Sequence, residues 1–352
     1  MPGALEAVAW RAWAPRTAGE RILRAALVPA AVAYGAVASA RNRLYDAGWL
    51  ATRRVPARVL SVGNLTVGGT GKTPTALWLA ERLVARGLRT GVVARGYGRQ
   101  TRGVVVVGED GSPLVDAEAG GDEAVLLSRR FAGPVVVGER RADAAALAQA
   151  RFALDAIVLD DGFQHRALAR DADLVLATAD DARDWPLPAG RLREPARGLR
   201  RARALLAIDG TPPTSAGIPQ FRGRLQPTGV VRVGPDGGWT AEPLDTLSGT
   251  DVTAVAGIAR PERFLGTLAA IGARVREVLR FPDHHRYTAD DARRIAAAGG
   301  PVVTTEKDLV KLARFPGLLS AAAVRVALEI EEGDALVDML LAPGPPVELR
   351  PD

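Results

Sequence analysis

The chain has 352 residues, 47% of them hydrophobic, which is enough for two cores of ordinary size and excludes a disordered chain. It has no cysteine, which excludes a disulfide framework, a thiolate metal site and a cysteine nucleophile. The net charge of +6 favours an anionic partner, but the arginines are scattered, aromatics are only 5% and no nucleic-acid-binding motif occurs, so the expected partner is an anionic membrane surface or a phosphorylated substrate and not nucleic acid.

The first element is an almost wholly apolar run over 25–40, flanked by Arg21 and Arg24 before and Arg41 and Arg43 after. Sixteen residues with Pro29 inside are short for a membrane-spanning helix, which needs about 20. Two readings stand: a helix buried on the core, or an interfacial helix with Trp10, Trp13, Tyr34, Tyr45 and Trp49 near headgroup depth.

From residue 58 the pattern alternates. Strands are predicted over 58–63, 90–94, 104–107, 134–137, 156–159, 174–177 and 204–208, with helices over 74–86 and 142–151. Short apolar strands between helices imply a mostly parallel sheet covered on both faces. After residue 209 comes a Gly/Pro/Thr/Ser-rich stretch, then an extended segment over 221–233 and a turn over 234–238. A second α/β rhythm follows, with strands over 252–256, 274–279, 302–304 and 323–328 and helices over 261–271 and 289–298. The expected organisation is an N-terminal apolar segment (1–50), a phosphate-loop domain (51–225) and a smaller α/β domain (226–352).

The stretch from Gly63 to Thr73 reads as a phosphate-binding loop between a strand and a helix. Gly68, Gly69 and Gly71 let backbone N–H groups curl around phosphate oxygens, with Thr66, Val67 and Thr70 completing the cradle. Lys72 would reach the β- and γ-phosphates, and the Thr73 hydroxyl would ligate Mg²⁺. Of 46 basic residues only Lys72, Lys307 and Lys311 are lysine, so a lysine here marks a site that needs a compact ammonium. The strict pattern asks for glycine where the chain has Thr66.

The metal of such a site needs a carboxylate at the end of a buried strand, and Asp160-Asp161 follows the apolar run 156–159. Taken alone, Asp160-Asp161-Gly162 is also compatible with a plain turn, Asp122 with a helix cap, and 187–195 with a solvated loop. The pair His284-His285 beside Asp283 suggests metal binding or acid–base work, but no third ligand has zinc spacing.

Together these segments carry a resemblance. Gly63 to Thr73, Arg95-Gly96-Tyr97, Gly121-Asp122-Glu123, Asp160 to His165, Gly190 to Pro195, Gly257 to Pro261, Phe281 to His284 and Thr305-Glu306-Lys307-Asp308 stand in the order found in the tetraacyldisaccharide 4'-kinase family, which the chain resembles. In that family position 66 takes Thr or Ser. The resemblance implies transfer of the γ-phosphoryl of ATP to the 4'-hydroxyl of a tetraacyldisaccharide 1-phosphate, the lipid A precursor, at the cytoplasmic face of a Gram-negative inner membrane. It implies Asp122 as the proton acceptor paired with His284. It also implies that Asp160, Asp161, Gln164, Arg193 and Glu194 surround the Mg²⁺-nucleotide. The alternative is a P-loop GTPase or ATPase switch without a lipid substrate. A GTPase should carry an Asn/Thr-Lys-x-Asp base-reading motif, and 305–308 has those letters in a shifted register.

Overall fold

The computed structural model describes residues 4–213, 217–234, 238–318 and 320–343. The elements run α1 (Ala4–Trp13), α2 (Ala18–Asp46), β1 (Arg58–Asn64), α3 (Lys72–Ala85), β2 (Thr90–Ala94), β3 (Val105–Glu109), β4 (Ser112–Pro113), α4 (Ala117–Gly120), α5 (Asp122–Arg130), β5 (Val135–Val137), α6 (Arg141–Phe152), β6 (Ala156–Asp160), β7 (Ala172–Leu176), α7 (Ala179–Ala182) and β8 (Ala204–Ile208). They continue with β9 (Gln220–Val233), β10 (Trp239–Glu242), β11 (Asp251–Ala256), α8 (Pro261–Ala270), β12 (Arg274–Arg280), α9 (Ala289–Ala297), β13 (Val302–Thr305), α10 (Glu306–Leu312), β14 (Ala322–Ile330) and α11 (Gly333–Leu341).

All the strands join one sheet in the order β12-β11-β13-β14-β9-β8-β7-β1-β6-β2-β5-β3-β4, with β10 on β9. From β8 to β5 every neighbour is parallel, as the buried apolar strands predict. Strands β6 and β7 flank β1 on opposite sides, so the loops after all three open at the same edge, where ligands of such sheets bind.

The N-terminal half is covered on both faces. Helices α3, α5 and α11 enclose a core that includes Val62, Leu79, Leu83, Val125 and Leu336. Helix α6 covers the other face over Val93, Ile157 and Leu159. Burying a leucine such as Leu79 or Leu83 contributes about 1.5–3 kcal/mol. The C-terminal half repeats the plan with two smaller cores around Val231 and Val230, neighbours that point to opposite faces of β9.

The segment read as extended over 221–233 is the long strand β9. Its start pairs in parallel with β8, and its remainder pairs antiparallel with β14 from Gly223 to Arg232. Residue 225 therefore lies inside a strand, and the sheet continues from one half to the other. Residues 235–237 of the expected turn lie outside the described residues. Helix α11 returns to pack beside α3, with Gly333 against the Trp78 ring. A buried carboxylate links the halves as well. Glu306 accepts from Arg130 of α5 at 3.0 Å and from Arg325 of β14 at 3.1 Å.

Helix α2 does not take the buried-core reading. It starts with a capping box of Thr17 and Glu20. Only Ala31, Gly35 and Ser39 are buried, a small-residue stripe at i, i+4 and i+8. A Cβ on Gly35 would meet Pro186 at 3.3 Å and Pro195 at 3.4 Å, so the helix lies close on the 186–195 loop. Asn42 donates to Glu194 at 2.6 Å and the Tyr34 hydroxyl to the Arg193 carbonyl at 3.0 Å. Ile22, Val32, Val37 and Trp49 remain exposed, at 57–80%. The helix is docked along one stripe and is not a core helix.

Candidate active site

A cleft of about 1780 Å³ runs along the sheet edge. The phosphate loop forms its floor, the ends of β2 and β6 one wall, and residues of the C-terminal half another. Its far end meets Trp10, Trp13 and Tyr34 of the N-terminal helices.

The loop folds as its sequence requires. Gly68 and Gly71 adopt φ of +110° and +90°, which non-glycine residues disfavour. A Cβ on Gly71 would also stand 2.7 Å from Ile208. Gly71 caps α3, so Lys72 and Thr73 open the helix and their N–H groups point into the cleft end. Asn64, fully buried at the end of β1, donates to the Thr70 hydroxyl at 2.9 Å and to Thr66 at 3.4 Å. That bond gives Thr66 a use a glycine could not have.

Thr73 donates its hydroxyl to Asp160 Oδ2 at 2.8 Å. The other oxygen, Asp160 Oδ1, is buried without a hydrogen-bond partner. Burial, then the charges of Glu123 and Asp161, push the Asp160 carboxyl up to about 7, against the opposing pull of Thr73 and Lys72. A divalent cation at this carboxylate would satisfy the orphaned oxygen and remove that penalty, so the residues fit Mg²⁺. Among the described residues no cluster of three His, Cys, Asp or Glu side chains is arranged for a metal.

The neighbouring residues join one network. Burial raises the Asp161 carboxyl, but Lys72 and Arg193 outweigh it and hold it below the usual range. Arg193 grips both Asp161 oxygens at 2.8 and 2.9 Å, and Lys72 lies 3.9 Å from Oδ1. Gln164 donates to the Asn64 carbonyl at 2.9 Å and to Glu194 at 3.1 Å. Glu194 is 2% exposed, and its oxygens are taken by Arg201, Asn42 and Gln164.

The 187–195 segment is therefore not a solvated loop. Val67 donates to the Arg191 carbonyl and Arg193 to the Leu65 carbonyl, which ties the segment edge-on to the phosphate loop. Ala189 and Leu192 are buried as a result.

The second cluster crosses between the halves. His284 Nδ1 lies 3.2 Å from Asp122 Oδ2. Asp122 is the first residue of α5, after a cap at Gly121, and is not the cap itself. Its Oδ1 accepts the Glu123 N–H at 2.9 Å. Burial raises the Asp122 carboxyl, but the His284 bond and the charges of Lys307, His284 and Lys311 bring it down to about 2. Asp161 and His284 both sit at φ +56°, a backbone strain of about 1–3 kcal/mol each of the kind that collects at functional sites.

His285 turns elsewhere, bonding Asp291 at 2.9 Å and stacking on Phe281. The two histidines thus do not share a metal. Lys307, Lys311, Tyr97 and Arg141 also belong to the site and carried no assigned role in the sequence. Lysine rarity pointed to the first two. Arg141, buried beneath Asp160 and Asp161 with an unpartnered Nε, gave no sequence signal.

The lowered carboxyl of Asp122 sets a pH expectation. A depressed carboxyl stabilises the fold fully above its unfolded value of about 4, and loses that contribution as pH falls toward the folded value. Acid unfolding of the Asp122→Asn protein should therefore lose less stability between about pH 4 and 2 than the parent does. Superimposable acid limbs would show that Asp122 is not held by these cations.

A profile described as Tetraacyldisaccharide-1-P 4'-kinase matches residues 23–343. The chain is 41% identical to the tetraacyldisaccharide 4'-kinase of Anaeromyxobacter dehalogenans (strain 2CP-C), over 96% of this chain and 94% of that one. It is 41% identical to the enzyme of the same description from Chlorobaculum tepidum, over 83% of this chain and 87% of that one. Among solved structures, an "apo" form of LpxK from Aquifex aeolicus in complex with ATP superposes with a TM-score of 0.78 at 32% identity. It covers 90% of this chain and 98% of that one.

Proposed function

The chain belongs to the tetraacyldisaccharide 4'-kinase family, and from that premise we propose how its cleft moves the γ-phosphoryl of ATP to the 4'-hydroxyl of the lipid A precursor. The observation that carries the reading is that one cleft joins a phosphate loop, an orphaned carboxylate beside Thr73, and His284 of the C-terminal half, which bonds the buried Asp122 of the N-terminal half.

Backbone N–H groups of 67–73 and the ammonium of Lys72 would bind the nucleotide phosphates and meet the charge that spreads over the transferring group. Thr73 and Asp160 would hold Mg²⁺, with Asp161 beside them. The ion would supply charge neutralisation at the β- and γ-phosphate oxygens. Arg193 and Gln164 keep Asp161 and the loop in place. Glu194 would reach the ion only by releasing Arg201, Asn42 or Gln164; its present bonds make it the brace between α2 and the site. Asp122 would orient the sugar hydroxyl and take its proton. A carboxylate held near 2 is a weak base. It suffices where the transition state is loose and the proton leaves late.

Asp160→Asn tests the metal assignment. Mg²⁺ should tighten ATP binding by the parent protein and no longer do so in the variant, while metal-free ATP binding is retained. Equal tightening in both would remove Asp160 from the metal site.

The exposed apolar face of α2 and its arginines support a monotopic seat on the anionic cytoplasmic face of the inner membrane. Ile22→Glu with Val32→Glu should lower partition onto anionic vesicles at an unchanged thermal midpoint, and rising salt should weaken parent binding. Undiminished vesicle binding by the variant would take the membrane role away from this face.

A further inference from the structure

The two halves meet where α5 faces α10, and the contact is charged along its length. Asp122 and Glu123 open α5. Lys311 lies 3.5 Å from the first and Lys307 3.3 Å from the second. At the other end the signs reverse. Arg130 closes α5 and Glu306 opens α10, and Arg130 Nη1 donates to Glu306 Oε2 at 3.0 Å. The helices therefore run antiparallel, each with acids in its first turn and a cation in its last, as the helix dipole favours.

Glu306 ties this contact together. Its side chain is 5% exposed, and each oxygen is held by an arginine of a different element. Arg130 of α5 takes Oε2, and Arg325 of β14 takes Oε1 at 3.1 Å. Arg130 also donates to the Val326 carbonyl of β14 at 2.8 Å. Its neighbour Arg129 lies over the Trp239 ring of β10, 4.9 Å from the centroid. The end of α5 is thus seated on the C-terminal half.

The seat has a particular place in the sheet. Strands β9 and β14 carry the sheet from one half to the other, and their ladder shifts register between Arg325 and Val326, which pair with Gly229 and Pro227. Thr228 is skipped, and Pro227 has no N–H to give. Such a bulge disrupts the ladder and bends the strand. Arg130 and Glu306 grip β14 at the two residues that flank this break. Two further pairs between the halves, Arg314 with Glu118 and Arg263 with Asp209, are a third to a half exposed, where solvent screens them. The C-terminal wall reaches the phosphate loop itself: Ala259 stands 3.8 Å from a Cβ placed on Gly69. A rotation at the bulge would therefore be felt over the nucleotide phosphates.

We propose that Glu306 is a positioning residue for phosphoryl transfer: with Arg130 and Arg325 it forms a clasp across the bulge that fixes how α10 faces α5, and so how the C-terminal wall stands over the phosphate loop. This rests on the reading that both halves line one phosphoryl-transfer site. The contribution of Glu306 is geometric, and a wall misplaced by about 1 Å can cost about 10²-fold in rate.

The chain has no cysteine, so spin labels can be placed at chosen sites in the full-length protein. Ala150→Cys on α6 and Ala297→Cys on α9, both exposed, report the distance between the halves. With Mg²⁺ and a non-hydrolysable ATP analogue, Glu306→Gln should give a longer or broader distance distribution than the parent. It should lower kcat by about 10–10²-fold. Arg130→Met with Glu306→Met separates positioning from stability, because apolar groups in place of a buried ion pair commonly restore stability. Its thermal midpoint should return to that of the parent, while the altered distribution and the low kcat remain. Recovery of kcat along with the midpoint would overturn the proposal and leave the clasp purely structural. A folded Glu306→Gln protein with either a parent-like distribution or a parent-like kcat would overturn it as well. Arg325→Met removes the half-exposed arm of the clasp, and it must move both readouts the same way even if Glu306→Gln does not fold. The distances are read without turnover, so the clasp can fail while the parent still labels lipid. A parent that labels no lipid sinks the phosphoryl-transfer reading and leaves the distances standing.

Discussion

Lys72→Ala should lower kcat by roughly 10²–10³-fold, the cost of removing one donor aimed at developing charge, while the thermal midpoint stays close to that of the parent. The side chain opens α3 with its ammonium turned to the cleft, and its one ion pair among the described residues, to Asp161, spans 3.9 Å. Asp161 keeps the two shorter bonds from Arg193 when the lysine is gone, so no buried carboxylate is stranded. The loop conformation rests on Gly68, Gly71 and the Asn64–Thr70 bond, none of which involves Lys72. Lys72→Arg should fail nearly as badly. A planar guanidinium cannot occupy the place of a compact ammonium between Asp161 and the phosphates, and Arg193 already fills the neighbouring space. Near-full turnover by Lys72→Arg would contradict the phosphate-cradle reading, and the thermal midpoint separates a catalytic loss from unfolding.

The second large effect belongs to the pair across the halves. Asp122→Ala and His284→Ala should each lower kcat by about 10²–10⁴-fold with ATP binding largely kept. The double variant should be little worse than the worse single one, because groups that act as one unit are not additive. The geometry makes the coupling specific. Asp122 Oδ2 takes His284 and Lys311, while Oδ1 takes the Glu123 N–H, so the carboxylate is held from three sides and its orientation depends on each. A structural role alone predicts a different pattern, with lost stability from Asp122→Ala, near-normal kcat in the folded fraction and no effect from His284→Ala. Fully additive losses in the cycle would sink the dyad.

Much of this site was legible because its chemistry is local. Gly68, Gly71, Lys72 and Thr73 are consecutive or nearly so, and their roles follow from glycine geometry and helix polarity without any tertiary knowledge. Asp160 was legible from the apolar strand before it. The parallel sheet followed from short strands that are apolar at every position. What was not legible is non-local. Nothing in 220–233 says that its second half pairs with a strand some hundred residues later, so a continuous sheet looked like an extended connection between domains. The 187–195 segment is charged and rich in proline and looked solvated, but its backbone is consumed by Leu65, Val67 and α2. The docked stripe of α2, Ala31, Gly35 and Ser39, shows only in the fold, and composition alone could not choose between a buried and a surface helix. Lys307 and Lys311 were conspicuous by rarity, but their convergence on Asp122 needs the fold.

The central claim is that this cleft delivers a phosphoryl group to a sugar hydroxyl and is not a nucleotide switch. The measurement that tests it most directly is incubation of the purified chain with γ-labelled ATP, Mg²⁺ and a tetraacyldisaccharide 1-phosphate in mixed micelles, followed by analysis of lipid and aqueous products. The account predicts label on the lipid at the 4'-position, one phosphate transferred per disaccharide, with ADP formation dependent on the acceptor and lowered about 10²–10⁴-fold by Asp122→Ala. ATP hydrolysis to inorganic phosphate at the same rate with and without the acceptor, and no labelled lipid, would contradict it.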